Sequence, residues 1–76
     1  MQKSYSIVLR PEPEGGFTVR VPALPEIVSY GETETEALEM AKDAIELVLE
    51  SRTERGEAIP DGDAVLIRKV EVSFAA

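Results

Sequence analysis

The side chains that could break bonds are few in this chain, and none has the company it needs. A serine nucleophile requires a base, and the sequence contains no histidine. Lysine could substitute, but Lys3, Lys42 and Lys69 stand in contexts that read as exposed, with no supporting motif. The pair Gly15-Gly16 has neither the spacing of a phosphate-binding loop nor that of a dinucleotide fingerprint, and it reads as a hairpin turn. Asp61-Gly62-Asp63 has the opening of a calcium loop without the rest of its twelve-residue ligand pattern, so it too reads as a turn. Two-metal hydrolysis needs several carboxylates converging from strands. Here Glu71 is the clearest strand-borne acid, and the others lie in turns or on a helix face. No catalytic residue, metal site or cofactor is expected, and the chain is read as a non-enzyme.

The elements that would position any site follow from the hydrophobic pattern. Tyr5, Ile7 and Leu9 alternate with Ser4, Ser6 and Val8, the period of a strand with one buried face. Pro11-Glu12-Pro13-Glu14-Gly15-Gly16 breaks that strand. Phe17, Val19 and Val21 alternate with Thr18 and Arg20 as a second strand, which should pair with the first as a hairpin. Pro22 to Pro25 ends it, and Ile27 to Tyr30 is a short third strand. Thr33 followed by Glu36 matches a capping box. Glu32, Glu34 and Glu36 suit the positive end of a helix dipole, and Arg52 and Arg55 suit its negative end. A helix is therefore expected from 34 to 55, stopping at Gly56. Ala37, Leu38, Ala41, Ala44, Ile45 and Val48 form its apolar stripe, extended by Leu49 and Arg52. Glu39, Asp43, Glu46 and Glu50 form its wet face. Met40 and Leu47, seven apart, sit on a flank, as the edge of a wide core stripe or as a contact with another chain.

After a polar loop over 57–63, a last strand is expected from 64 to 74. Its alternation changes phase between Val65 and Ile67 on the one hand and Val70, Val72 and Phe74 on the other. Either a bulge near Arg68-Lys69 or an inward set of Leu66, Val70, Val72 and Phe74 accounts for this. The fold class is thus α+β, in the order β-β-β-α-β: an antiparallel sheet with one helix packed on one face. The opposite face would carry Ser4, Ser6, Val8, Arg10, Thr18 and Arg20, with Val65 and Ile67. It is either a partner surface or a solvated face.

The chain has 76 residues, a formal net charge of −7 and no cysteine. That is one small domain without disulfide or thiolate-zinc staples, and such domains often gain stability by self-association. A homo-oligomer is expected, with Val8, Met40, Leu47, Val65 and Ile67 as candidate contacts. The acidity argues against direct nucleic-acid binding, which needs a basic surface; by itself it reads first as simple solubility, and it also suits a basic protein partner. No apolar run approaches a membrane span and no leader pattern opens the chain, so a cytoplasmic protein is expected.

One ordered set of short motifs runs through nearly the whole chain. It comprises Gly15-Gly16-Phe17, Val21-Pro22, Leu24-Pro25, Val28-Ser29, Gly31-Glu32-Thr33, Glu36-Ala37-Leu38 and Ala41-Lys42-Asp43-Ala44-Ile45, then Gly56-Glu57-Ala58-Ile59-Pro60. In that order it resembles the HicB-like antitoxins of HicA–HicB toxin–antitoxin systems. The resemblance implies a partial ribonuclease-H-like fold without ribonuclease-H catalysis. It also implies a small basic mRNA-cleaving toxin (HicA-like) as partner, whose active site the antitoxin covers. Arg20 and Tyr30 are the candidate anchors for that partner, and Glu26, Glu32 and Glu34 the candidate charges. The alternative is a solitary oligomeric interaction module without a toxin; a metal-dependent nuclease remnant is a third reading. Family members often carry Gly-Cys where Glu26-Ile27 stand here, and many add a C-terminal DNA-binding domain. The chain ends at Ala76, just after the last expected strand, so residues 1–76 are expected to form a single domain without that addition.

Overall fold

The computed structural model describes residues 2–75. Among them, three antiparallel strands are followed by one helix: β1 (Val8–Pro11), β2 (Phe17–Arg20), β3 (Val28–Gly31) and α1 (Glu34–Glu54). The sheet order is β1-β2-β3. Leu9 lies opposite Val19, Thr18 opposite Tyr30, and Phe17 opposite Gly31. This is the expected α+β arrangement of a sheet packed against one helix.

The first strand begins later than its alternation suggests. Its partner strand ends at Arg20, because the chain turns at once: Leu24 N–H bonds to Val21 O and Ile27 N–H to Leu24 O. Residues 2–7 therefore have no strand opposite them on that side. They lie instead against the loop that follows the helix. Ser6 N–H donates to Asp63 Oδ1 at 2.8 Å, the Tyr5 hydroxyl donates to Pro60 O, and Lys3 pairs with Asp61 at 3.1 Å. At the other end of β1, Pro11 removes no bond from the ladder. Glu12 N–H points to Gly16 O on the β2 side. Adjacent residues in a strand point their amides to opposite sides, so the Pro11 nitrogen faces the free edge, where proline is tolerated.

The helix starts and stops where its caps dictate. The Thr33 hydroxyl accepts from Glu36 N–H at 3.0 Å, while the Glu36 carboxylate reaches back to Glu32 N–H at 3.1 Å. At the far end Glu57 N–H bonds to Arg52 O and Gly56 N–H to Thr53 O, the paired bonds of a Schellman closure.

The core is small and sits in two clusters. Val19, Ala37 and Ala41 form one, joined by Ile7, Leu9 and Phe17. Val21, Leu24 and Ile27 form the other, joined by Tyr5, Ile7, Ala44, Ile45, Val48 and Leu49. Gly31 decides how closely helix and sheet meet. A Cβ there would lie 2.5 Å from Ala37 Cα and 2.8 Å from the Glu36 carbonyl carbon. The helix start thus rests directly on the β3 backbone.

Two expectations are corrected. Leu38 does not join the buried stripe; it is 47% exposed, because the helix leans over β3 and β2 and away from β1. The expected fourth strand pairs with nothing among the described residues. Residues 64–75 form no ladder, and Leu66, Val70, Val72 and Phe74 are each more than three-quarters exposed. The molecule measures 52 × 26 × 19 Å with a radius of gyration of 15.1 Å. A compact domain of this length would have a radius near 11 Å. The strand pattern is present, but an unpaired strand cannot bury its apolar side chains or satisfy its amides within one copy.

Gly31→Ala should therefore cost about 1–3 kcal/mol, because backbone atoms rather than a movable side chain occupy the space. Urea denaturation followed by circular dichroism measures this. Thr33→Ala should cost about 1 kcal/mol through the lost cap.

Candidate partner-binding face

The face of the sheet turned away from α1 follows from the register. With Val19 buried towards the helix, Thr18 and Arg20 point outward. Their partners point outward with them: Val8 opposite Arg20 and Arg10 opposite Thr18 on β1, then Tyr30 opposite Thr18 and Val28 opposite Arg20 on β3. Val28 and Tyr30 are 57% and 47% exposed. The open face is thus a mixed patch of valines, an aromatic ring and two arginines.

Tyr30 is the fixed point of this patch. Its hydroxyl donates to Gly15 O at 2.9 Å, and its ring lies across Gly16. A Cβ on Gly16 would stand 2.8 Å from Tyr30 Cε1 and closer still to the hydroxyl, so only glycine lets the ring lie down there. Ring, hairpin tip and two carboxylate-bearing residues, Glu14 and Glu32, enclose a shallow polar hollow of about 260 Å³. An exposed phenol ring beside two acids can receive a lysine or arginine side chain, by cation–π contact with the ring and charge-assisted hydrogen bonds to the acids. Next to it, Glu12 accepts from the Thr18 hydroxyl at 2.6 Å and lies 3.9 Å from Arg10 Nε. Arg20 makes no ion pair among the described residues.

The five residues picked from the sequence do not form one cluster. Tyr30 and Glu32 line the same hollow, and Arg20 shares the open face with Tyr30. Glu34 lies in the first helical turn, adjoining Glu32 along the chain. Glu26 belongs elsewhere. It pairs with Arg52 in the last turn of the helix, about 27 Å along the helix axis from Glu34 at 1.5 Å per residue. Its carboxyl is held below the usual range, first by its own backbone amide and then by the Arg52 guanidinium. Glu26 thus ties the loop after β2 to the end of α1. Glu14 was missed. The register supplies the signal: with Phe17 opposite Gly31, the double-glycine tip falls beside Glu32.

The candidate self-association residues are likewise scattered. Val8 is on the open face, Met40 and Leu47 are exposed on the helix, and Val65 and Ile67 are on the unpaired tail. Among the described residues no group of three acids could hold a metal ion, and no helix is long and apolar enough to cross a membrane.

Residues 5–75 match the family model described as the HicB-like antitoxin of bacterial toxin–antitoxin systems. The chain is 45% identical over 56 residues to Antitoxin HicB 1 of Photorhabdus laumondii, covering 74% of this chain and 36% of that protein. It is 43% identical over 56 residues to Antitoxin HicB of Escherichia coli, covering 74% of this chain and 41% of that protein. The chain therefore spans less than half the length of these two antitoxins. It is also 36% identical over 73 residues to a UPF0150 protein of Synechocystis, covering 96% of this chain and 99% of that one.

The Glu26–Arg52 pair sets a pH dependence. Glu26 titrates below its ordinary value in the folded chain, so its contribution is present above that ordinary value. It is lost as the pH falls through the lowered folded value. In Arg52→Gln, Glu26 should titrate higher than in the parent chain, yet still below an ordinary carboxyl because its own amide remains. Carboxyl-carbon NMR titration reads this.

Proposed function

Since the chain belongs to the HicB-like antitoxin family of bacterial toxin–antitoxin systems, we propose that it is an antitoxin that binds a small basic mRNA-cleaving toxin and covers its active site. The observation that carries this reading is the Tyr30 hollow. It offers an exposed aromatic ring between Glu14 and Glu32 on an open sheet face, in a chain of net charge −7. A basic ribonuclease presents lysine and arginine side chains for its substrate's phosphates. Such a ring between two acids competes for those cations, and opposite net charges speed the encounter. The action is occlusion, with no bond made or broken by this chain, and it needs no cofactor. Arg20 and Val28 extend the contact across the face, and Glu34 adds charge at its rim. The chain works as a homo-oligomer in the cytoplasm; the small core and the apolar tail support the self-association.

A second reading is a solitary interaction module without a toxin. The near full-length match to the Synechocystis protein favours it, because that protein has about this length and so holds no further domain beside the matched one.

Co-expression with the product of the adjacent gene separates the two. The antitoxin reading expects a small basic ribonuclease that co-purifies and loses its mRNA-cleaving activity in the complex. A neighbour of another kind, or one that does not co-purify, sinks it. Within the complex, the double variant Glu14→Lys, Glu32→Lys should weaken binding by more than tenfold. It should also slow association and flatten its salt dependence, as surface-plasmon kinetics at two ionic strengths would show.

A further inference from the structure

The most exposed apolar side chains of this molecule lie on one segment that has the pattern of a strand and nothing to pair with. Leu66, Val70, Val72 and Phe74 are 77% to 83% exposed. The body, meanwhile, lacks a piece of that kind. Because α1 leans over β3 and β2, its other flank does not close onto the N-terminal segment. A groove of about 520 Å³ remains there, with Tyr5 and Ile7 on one wall and Leu38, Ala41, Ile45 and Leu49 on the other. The backbone beside that groove is also unoccupied. β1 is an edge strand, and residues 2–7 make no backbone–backbone hydrogen bond outside regular elements among the described residues.

Where the tail leaves the body is fixed. Ser6 N–H holds Asp63 Oδ1, the Tyr5 hydroxyl holds Pro60, and Gly62 runs so close to Ser4 that a Cβ on it would lie 2.9 Å from Ser4 O. From this pinned point residues 64–75 run out from the body, and the long axis reaches 52 Å. At the same point Asp63 Oδ2 is buried without any hydrogen-bond partner. Arg68 and Lys69 against Glu71 give the tail a net charge of +1. The groove itself is bordered by Lys42 and Glu46 on the helix side and by Lys3 on the other, so the tail's apolar face, not its charge, selects it as the occupant.

We propose that two copies of this chain exchange their tails, each tail adding a strand along residues 3–9 of the other copy and filling its groove. This rests on the self-association proposed above. Of the two phase assignments, the exchange takes the one with Leu66, Val70, Val72 and Phe74 turned into the groove.

The absence of cysteine allows a clean test on the full chain. Ser73→Cys carries a single benzophenone label, and labelled ¹⁴N copies are unfolded and refolded with unlabelled ¹⁵N copies in equal amounts. Light scattering should give a dimer, and irradiation should join Ser73→Cys of the light copy to residues 2–59 of the heavy one. A monomer overturns both the exchange and the self-association. A dimer whose cross-links stay within one copy, as in fold-back, overturns the exchange alone. So does a body of one copy reached only when a ribonuclease partner is added. Two further variants guard against a labelling artefact. Val72→Pro should give a monomer that keeps the helical part of its circular dichroism. Val70→Asp, Phe74→Asp should raise the dimer dissociation constant more than tenfold. Either variant remaining as tightly dimeric as the parent chain also overturns the exchange.

Discussion

The contact between the β3 backbone at Gly31 and the first turn of α1 at Ala37 governs the rest of this fold. Only glycine meeting alanine lets a helix start this close to a strand. The Thr33 cap and the Glu36 side chain then fix the direction in which the helix leaves. With that direction set, Ala37 and Ala41 bury against Val19, and the helix axis lies over β3 and β2. The cost falls on β1, whose flank receives little cover. A domain with so few fully buried apolar side chains gains little hydrophobic stabilisation of its own. The partly covered flank is thus the price of the tight one.

The same contact organises the opposite side of the sheet. Gly31 turned towards the helix forces Tyr30 outward, and Gly16 in the facing hairpin gives the ring a flat bed. The two glycines act on opposite faces of one register. The exposed ring is held by the hairpin on one side and by the strand-to-helix turn on the other. A residue held in this way loses little freedom when a partner lands on it, which is what a recognition anchor needs.

Much of this was legible in the chain. The capping box, the alanine stripe and the glycine stop placed α1 to within one residue, because they act locally. The second and third strands and the outward positions Val8, Arg10, Thr18 and Arg20 were legible from alternation, while the first strand was read too early, because its alternation runs on where no strand lies opposite. Three things were not. Leu38 was read into the core from spacing alone, since periodicity cannot tell which way a helix leans. Glu14 and Glu26 exchanged importance because only the pairing register and the helix length bring distant charges together or keep them apart. The tail reads as a strand and is patterned as one, but alternation specifies a face and not the body that covers it. The family likeness rests on the ordering of weak motifs, most of which prove to be turns and caps.

Pro11 has one more effect. Its nitrogen faces the free edge of β1, so that edge offers amide donors from residues on its N-terminal side and none at its far end. Any strand arriving there meets a ruler with a stop. It can slide only until its next acceptor finds no hydrogen to take. The edge therefore accepts a strand of limited length in a limited number of positions. Open-ended stacking of copies along β1, the common hazard of an uncovered sheet margin, is discouraged by a single ring closed onto its own backbone nitrogen.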